Sequence, residues 1–364
     1  MHVLHVIDAL SLGGAERMAV EIANRTVADR HRVSVCVTRS GIALAPQLDP
    51  RIELIVLGRT SRAAVRPLVR LARWSERHRV DVAHCHGRSS FALVAVLKAA
   101  GLYRRSTVLH DHKGIEIDPS IPIWFRIAAR YLSAFVGVYP RQLSWAQQAG
   151  VQVRKTHLIP NAIDMERVAT QELRTKPLAE APGRSRLIYI GGLRREKAVD
   201  VLLEAIAIVR APIILSIVGG DTDRAYATRC RERAARADLA DRVEFLGQRA
   251  DALALARDAD LGVHSSRSES GPLVLVEYAA IGLPFVSTAV GGVAMGLAEL
   301  GAGRFVPPED PTALATAIDE MLALSPTARR QLGSSWRAAA KGLYDISIAM
   351  PRWYEIYREV MNPE

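Results

Sequence analysis

A chain of 364 residues is too long for one ordinary hydrophobic core, so two domains are expected. Apolar residues make up 49%, yet Arg, Gly, Pro or Asp breaks every apolar run well before the roughly 18 residues of a membrane span, so a soluble protein is expected. The net charge of +10 favours anionic partners; with no reader motif and an aromatic fraction of 5%, no nucleic-acid partner is expected.

The first residues, Met1 to Asp8, read as a strand at once, with no charged leader and no small-residue cleavage site, which predicts a cytoplasmic protein. Cys36, Cys85 and Cys230 lack metal-type spacing and are odd in number, as buried thiols of a reducing compartment are. Strands are expected at 2–7, 32–38, 52–57, 81–86, 107–112 and 135–139, with helical stretches between them. Gly13 and Gly14 close the first strand-to-helix turn, where the backbone must come close to a ligand or to packing. Arg62, Arg66, Arg70, Arg73 and Arg77 recur every three or four residues along one helix face beside Val65, Leu68, Val69 and Ala72. A solvated helix explains that face; so does docking on an anionic membrane, peripheral at its inner face. His84 and His86 end the fourth strand and His110 and His112 the fifth, as candidates to line a site.

A polar, helix-poor stretch from about 165 to 185, with Pro177, Pro182 and Gly183, suits an interdomain hinge. A second strand series follows at 186–191, 213–219, 243–247, 261–265, 285–288 and 304–306. The alternation predicts an α/β architecture: two Rossmann-like, doubly wound parallel-sheet domains facing a cleft, at 1–168 and 186–345 around a linker at 169–185. The tail at 346–364, helical in pattern with Trp353, Tyr354 and Tyr357, is expected to pack back on the first domain. Such sheets bind ligands beyond the carboxyl ends of their strands.

The densest chemistry lies between Ser265 and Glu277. A strand ends at Ser265, a small-residue loop with Ser270 and Gly271 follows, and a helix runs from about Pro272 to Ile281, stopped by Gly282 and Pro284. Free backbone N–H groups of Leu273 and Val274 at its start suit a diphosphate. Glu277, more than one turn in, is placed to accept from two vicinal hydroxyls such as a ribose presents. Glu269, which phosphate would repel, is placed for a neutral sugar hydroxyl. The bland reading is a helix N-terminal acid and a solvated glutamate; the apolar character of the helix argues against exposure of Glu277.

Two glutamates eight apart, followed by Gly282-Leu283-Pro284-Phe285-Val286-Ser287-Thr288 and Val290-Gly291-Gly292, resemble the signature of glycosyltransferase family four. The likeness extends to Gly13-Gly14-Ala15-Glu16, to Ile159-Pro160-Asn161-Ala162-Ile163-Asp164, and to Val306-Pro307 with Asp310-Pro311. It implies the GT-B fold and a retaining transferase that moves a hexose-type sugar from a nucleoside-diphosphate sugar to an acceptor hydroxyl in polysaccharide, glycolipid or glycoconjugate assembly. No metal or other cofactor is expected. In similar enzymes the Gly13-Gly14 loop faces donor phosphates and acceptor, which makes Glu16 an acceptor-side candidate together with His86, His112 and the loop at 114–122. His110 matches the family's histidine near the transferred sugar. Lys197 matches the lysine that meets the diphosphate, but Gly192 stands where its partner arginine is expected, leaving Arg194 or Arg195 to substitute. Base contacts are expected near Gly219, Gly247 and Arg249. Met295 replaces a frequent glutamate, and Ser270-Gly271-Pro272 a Gly-Phe-Gly. A nucleotide-sugar epimerase or hydrolase, and a binding protein that has lost turnover, are the rival readings.

Overall fold

The computed structural model describes residues 1–61, 64–113, 119–170 and 182–362. They form two compact units, the first of residues 1–162 with 346–364 and the second of residues 163–345. The division falls after Ala162, where the sequence suggested 168. The linker positions 171–181 lie outside the described residues.

Unit 1 is a seven-stranded parallel sheet built from β1 (His2–Ile7), β2 (Arg32–Val37), β3 (Glu53–Val56), β4 (Val82–His86), β5 (Ser106–Asp111), β6 (Ala134–Gly137) and β7 (Thr156–Leu158). Helices α1 (Gly14–Ala28), α2 (Val65–Arg77), α3 (Arg88–Ala99), α4 (Ile123–Ala128) and α5 (Pro140–Gln148) make its crossovers. The order is β3-β2-β1-β4-β5-β6-β7. Every residue of β1 and of β4 is buried, as expected for central parallel strands covered on both faces. The sequence reading missed β7, a three-residue edge strand of Thr156, His157 and Leu158, none of which is fully buried.

Unit 2 begins with a helix, α6 (Met165–Thr170), inside the stretch read as helix-poor. Its sheet has six parallel strands, β8 (Ser185–Ile190), β9 (Ile213–Val218), β10 (Val243–Gly247), β11 (Leu261–His264), β12 (Phe285–Thr288) and β13 (Arg304–Val306), in the order β10-β9-β8-β11-β12-β13. The helices are α7 (Val199–Ile208), α8 (Arg224–Ala234), α9 (Ala252–Arg257), α10 (Leu273–Ala280), α11 (Gly291–Glu299), α12 (Pro311–Ala323) and α13 (Pro326–Tyr344). Side chains cap several of them: Asp223, Asp310 and Ser325 each accept a bond from the backbone N–H three residues on, and Pro311 and Pro326 occupy first turns. The last helix, α14 (Ile346–Met361), belongs to unit 1, where Trp353, Ile356 and Tyr357 are fully buried.

In each unit the strand order reverses beside the first strand, between β1 and β4 in unit 1 and between β8 and β11 in unit 2. At such a switch point the two flanking loops diverge and open a crevice beyond the strand ends. The loop after β8 carries Lys197 and the loop after β11 carries Glu269. The loop after β1 carries Gly13, and β4 ends at His86.

Candidate functional site

In unit 2 the two switch-point loops are tied together. Lys197 closes a short 3-10 turn at Arg195–Lys197 and donates to Glu269 Oε1. The same oxygen accepts from Ser266 Oγ at 2.8 Å and lies 3.1 Å from His264 Nε2. Burial alone would push the Glu269 carboxyl up, but Lys197 and His264 outweigh it and hold the group well below the usual carboxylate range. Burial also lowers His264, against the opposing pull of Glu269. The loop backbone is fixed by Ser265 Oγ, which donates to the carbonyls of Lys197 and Ala198, and by Thr288 Oγ1, which donates to Ser266 O. Gly291 has a φ of +79°, and a Cβ there would sit 2.9 Å from Glu269 O, so only glycine lets α11 close against this loop.

Arg267 is the clamp that sequence reasoning missed. Its guanidinium bonds both carboxylate oxygens of Asp200, at 2.9 and 2.8 Å, and the Arg195 carbonyl at 2.7 Å, and it also pairs with Glu309. It holds the β8 loop to the β11 loop through contacts separate from those of Glu269. Nothing local in Arg267-Ser268 announces partners at positions 195, 200 and 309.

Helix α10 starts after Pro272 with no side chain capping it, so the N–H groups of Leu273 and Val274 keep no intrahelical acceptor. Glu277 is buried on this helix, 7% exposed, which removes the solvated reading. Ser270 is also buried, and its carbonyl accepts from Gly292 N at 2.7 Å; Gly271 completes the loop. The glycines after β8, β9 and β10 are interlocked. Gly219 N donates to Gly247 O at 2.8 Å, and a Cβ on Gly219 would lie 1.8 Å from Gly191 O.

The basic residues differ in availability. Arg249 is committed to Asp251 through two bonds of 2.7 and 2.6 Å. Arg194 is half exposed, with Glu196 4.0 Å away, and Arg195 is exposed. A Cβ at Gly192 would meet Thr222 Oγ1 at 3.0 Å, a tight contact that Thr222 would have to relieve. Met295 is exposed on α11.

In unit 1 Gly13 caps α1, and the Glu16 carboxylate folds back over it, accepting from Ser11 Oγ at 2.9 Å. Glu16 therefore takes the place of a first-turn acid at a helix N-terminus. His110 is 1% exposed, its ring 4.8 Å from that of Trp353, while His112, 3.9 Å from it, is half-buried. His110 thus lies deeper in unit 1 than His112. His86 is buried, with Nε2 2.9 Å from His5 Nδ1. Beneath them Asp111 turns to the other face and accepts twice from Arg88, at 2.9 and 2.7 Å, and Arg88 stacks on Trp145. The structure brings Glu269, Lys197, Ser270 and the α10 N-terminus together in unit 2, and His86, His110 and His112 together in unit 1.

Arg66, Arg70, Arg73 and Arg77 lie exposed along α2, and the helix also carries Glu76, paired with Arg105 at 2.9 Å. Arg62 and positions 114–118 of the proposed acceptor loop lie outside the described residues. Among the described residues, no helix is long and apolar enough to cross a membrane.

A model of glycosyltransferase family 4 matches residues 12–167 and one of the group 1 glycosyl transferases matches residues 184–323. The chain is 32% identical over 187 residues to D-inositol 3-phosphate glycosyltransferase 2 of Catenulispora acidiphila, across 48% of this chain and 44% of that one. It is 30% identical over 241 residues to a D-inositol 3-phosphate glycosyltransferase of Streptomyces scabiei, across 60% and 53%. The matched segments thus span about half the length of these curated relatives. Among solved structures, HepE of Anabaena in complex with UDP and glucose superposes with a TM-score of 0.81 at 21% identity, over 98% of this chain and 100% of that one. WaaG, a glycosyltransferase involved in lipopolysaccharide biosynthesis, superposes with a TM-score of 0.71 at 18% identity over the full length of both chains. Two family matches that between them take in both parallel-sheet units, on the architecture of these GT-B neighbours, make this chain a member of glycosyltransferase family four.

Proposed function

We propose that the chain transfers a sugar from a nucleoside-diphosphate sugar to an acceptor hydroxyl, with retention at the anomeric carbon. The observation that carries this reading is the Lys197–Glu269 pair at the unit 2 switch point, beside the uncapped start of α10. A lysine ammonium has three donors. Lys197 can hold Glu269 with one and offer the others to phosphate oxygens, while the N–H groups of Leu273 and Val274 meet the same diphosphate. Glu269, kept anionic, accepts from a hydroxyl of the transferred sugar, and Glu277 accepts from the ribose. Gly219, Gly247 and Arg249 border the base, with Arg194 and Arg195 as the mobile cations at the phosphate rim.

In this reaction the bond from the anomeric carbon to the β-phosphate oxygen breaks, a bond to the acceptor oxygen forms on the same face, and the acceptor proton passes to the departing phosphate. Catalysis is electrostatic: preorganised positive ends face the charge that develops on the leaving group. The reading assigns no step to a metal ion or cofactor. Unit 1 takes the acceptor, with Gly13, Gly14, Glu16, His86 and His112 at its strand ends and His110 toward the transferred sugar. HepE was crystallised with UDP and UDP-glucose, which makes uridine diphosphate sugars the first donors to test. Relatives named for inositol 3-phosphate, together with the net charge of +10, favour an anionic acceptor such as a phosphorylated polyol or a membrane glycolipid.

The test is a panel of nucleotide sugars, scored by thermal shift and then by nucleotide release with and without acceptors. Donor-dependent stabilisation followed by acceptor-dependent release is expected. Absence of any shift contradicts the donor assignment, and binding without transfer to any acceptor identifies a nucleotide-sugar-binding protein instead.

A further inference from the structure

Strands β1, β4 and β5 carry a histidine cluster of which the donor chemistry makes no use. His84 and His86 are two residues apart, as are His110 and His112, and strand alternation sends both members of a pair to the same face. The parallel register sets His5 beside His84 and His86 beside His110. Five imidazoles therefore gather in unit 1, with ring centroids 4.3 Å apart for His84 and His86, 5.6 Å for His86 and His110, and 3.9 Å for His110 and His112. Among the described residues, His86 Nδ1 and both ring nitrogens of His110 are buried with no hydrogen-bond partner.

We infer that His86, His110 and His112 form a binding site for a divalent transition-metal ion of the zinc class. One ring nitrogen from each of the three lies within 4.8 Å of the others. Tetrahedral ligation at about 2.0–2.1 Å sets neighbouring donors about 3.4 Å apart, a gap that ring rotation closes. The outer contacts suit the role: His5 Nδ1, 2.9 Å from His86 Nε2, fixes that ring and turns Nδ1 to the site, as partners of metal-ligating histidines do. His112 is the half-buried member of the trio, although its ring nitrogens are themselves shielded from solvent. Asp111, which would favour a harder ion, faces the other side of β5 and is held by Arg88. An all-imidazole set selects zinc, nickel or copper over magnesium or calcium. His5, His84 and His86 have similar spacing, but that trio is fully buried and His84 Nδ1 is engaged by Tyr357 Oη at 2.7 Å. The ion therefore belongs to the trio that leaves out the Tyr357-bound His84.

The experiment uses the full chain, stripped with a chelator and titrated with zinc chloride by calorimetry and by competition with a chromophoric chelator. No nucleotide sugar is present, so the outcome is separate from the donor assignment. One zinc ion per chain is expected, at least tenfold weaker in His112→Gln and in His86→Gln and unchanged in the remote control His157→Gln. Magnesium chloride should give no heat, and the cobalt-loaded protein should show the visible bands of a tetrahedral nitrogen-ligated ion. Absence of stoichiometric zinc binding, or equal affinity in both variants and wild type, overturns the site. If His86→Gln does not fold, as judged by circular dichroism, His112→Gln decides alone.

Discussion

Glu269 keeps its charge in a nearly dry loop because Lys197 and Ser266 donate to one of its oxygens and His264 lies against it. Its folded-state pKa lies below that of the unfolded carboxyl, so the stabilisation it gives is full above about pH 4.3 and is lost as pH falls through the folded value. His264, lowered by burial, acts in the same direction from about pH 6.5 downward, since the unfolded imidazole takes up a proton that the folded one refuses. Glu269→Gln should therefore flatten the acid limb of thermal stability between pH 5 and 3, measured as the unfolding midpoint against pH, while leaving the decline nearer pH 6 in place. An unchanged acid limb would show that the carboxylate is not held as described. Lys197→Ala removes the cation and strands a buried anion, which costs about 3–5 kcal/mol. It should also slow transfer about 10²–10³-fold, the range for loss of one preorganised stabilising group. Unfolding in urea and single-turnover kinetics separate the two effects.

At the scale of elements, β1 and β8 were legible as short runs rich in β-branched and other apolar residues, and β4 and β11 as short segments between helical stretches. Helix α10 was legible from Pro272 at one end and Gly282-Leu283-Pro284 at the other. Three features were not. Strand β7 is three residues at a sheet edge, too short for a period to show. Arg267, in the loop after β11, acquires its role only when Asp200, on α7, comes within 2.8 Å. The histidine cluster depends on β1 lying next to β4, a lateral pairing that no local pattern encodes, although the strand-end pairs themselves could be read. Gly192, which stands where an arginine was expected, packs closely against Thr222. The terminal helix α14 supplies the sharpest test at this scale. Trp353 is fully buried, with its ring 4.6 Å from that of His84. Trp353→Ala should lower the unfolding free energy of unit 1 by about 3–5 kcal/mol, and a loss under 1 kcal/mol in urea titration would mean that α14 is only loosely applied.

For the whole molecule, the net charge of +10 and the exposed arginines of α2 bear on where it works. If α2 docks on anionic lipid, replacing Arg66, Arg70 and Arg73 with Glu should reduce co-sedimentation with phosphatidylserine vesicles at least tenfold at low salt, each basic residue near such a surface contributing about 1 kcal/mol. Unchanged sedimentation would assign the face to solvation. The family assignment fixes the GT-B frame, and the site in unit 2 carries the functional claim, because two loops at its strand-order reversal are locked around a charged pair beside a free helix end. The most direct test is calorimetric titration of wild type and Glu277→Ala with uridine diphosphate sugars and the other common nucleotide sugars. At least one donor is expected to bind to the wild type and to bind about 10–100-fold more weakly to the variant, as loss of hydrogen bonds to a buried carboxylate implies. Equal affinity in the two proteins, or no donor bound by either, would contradict that expectation.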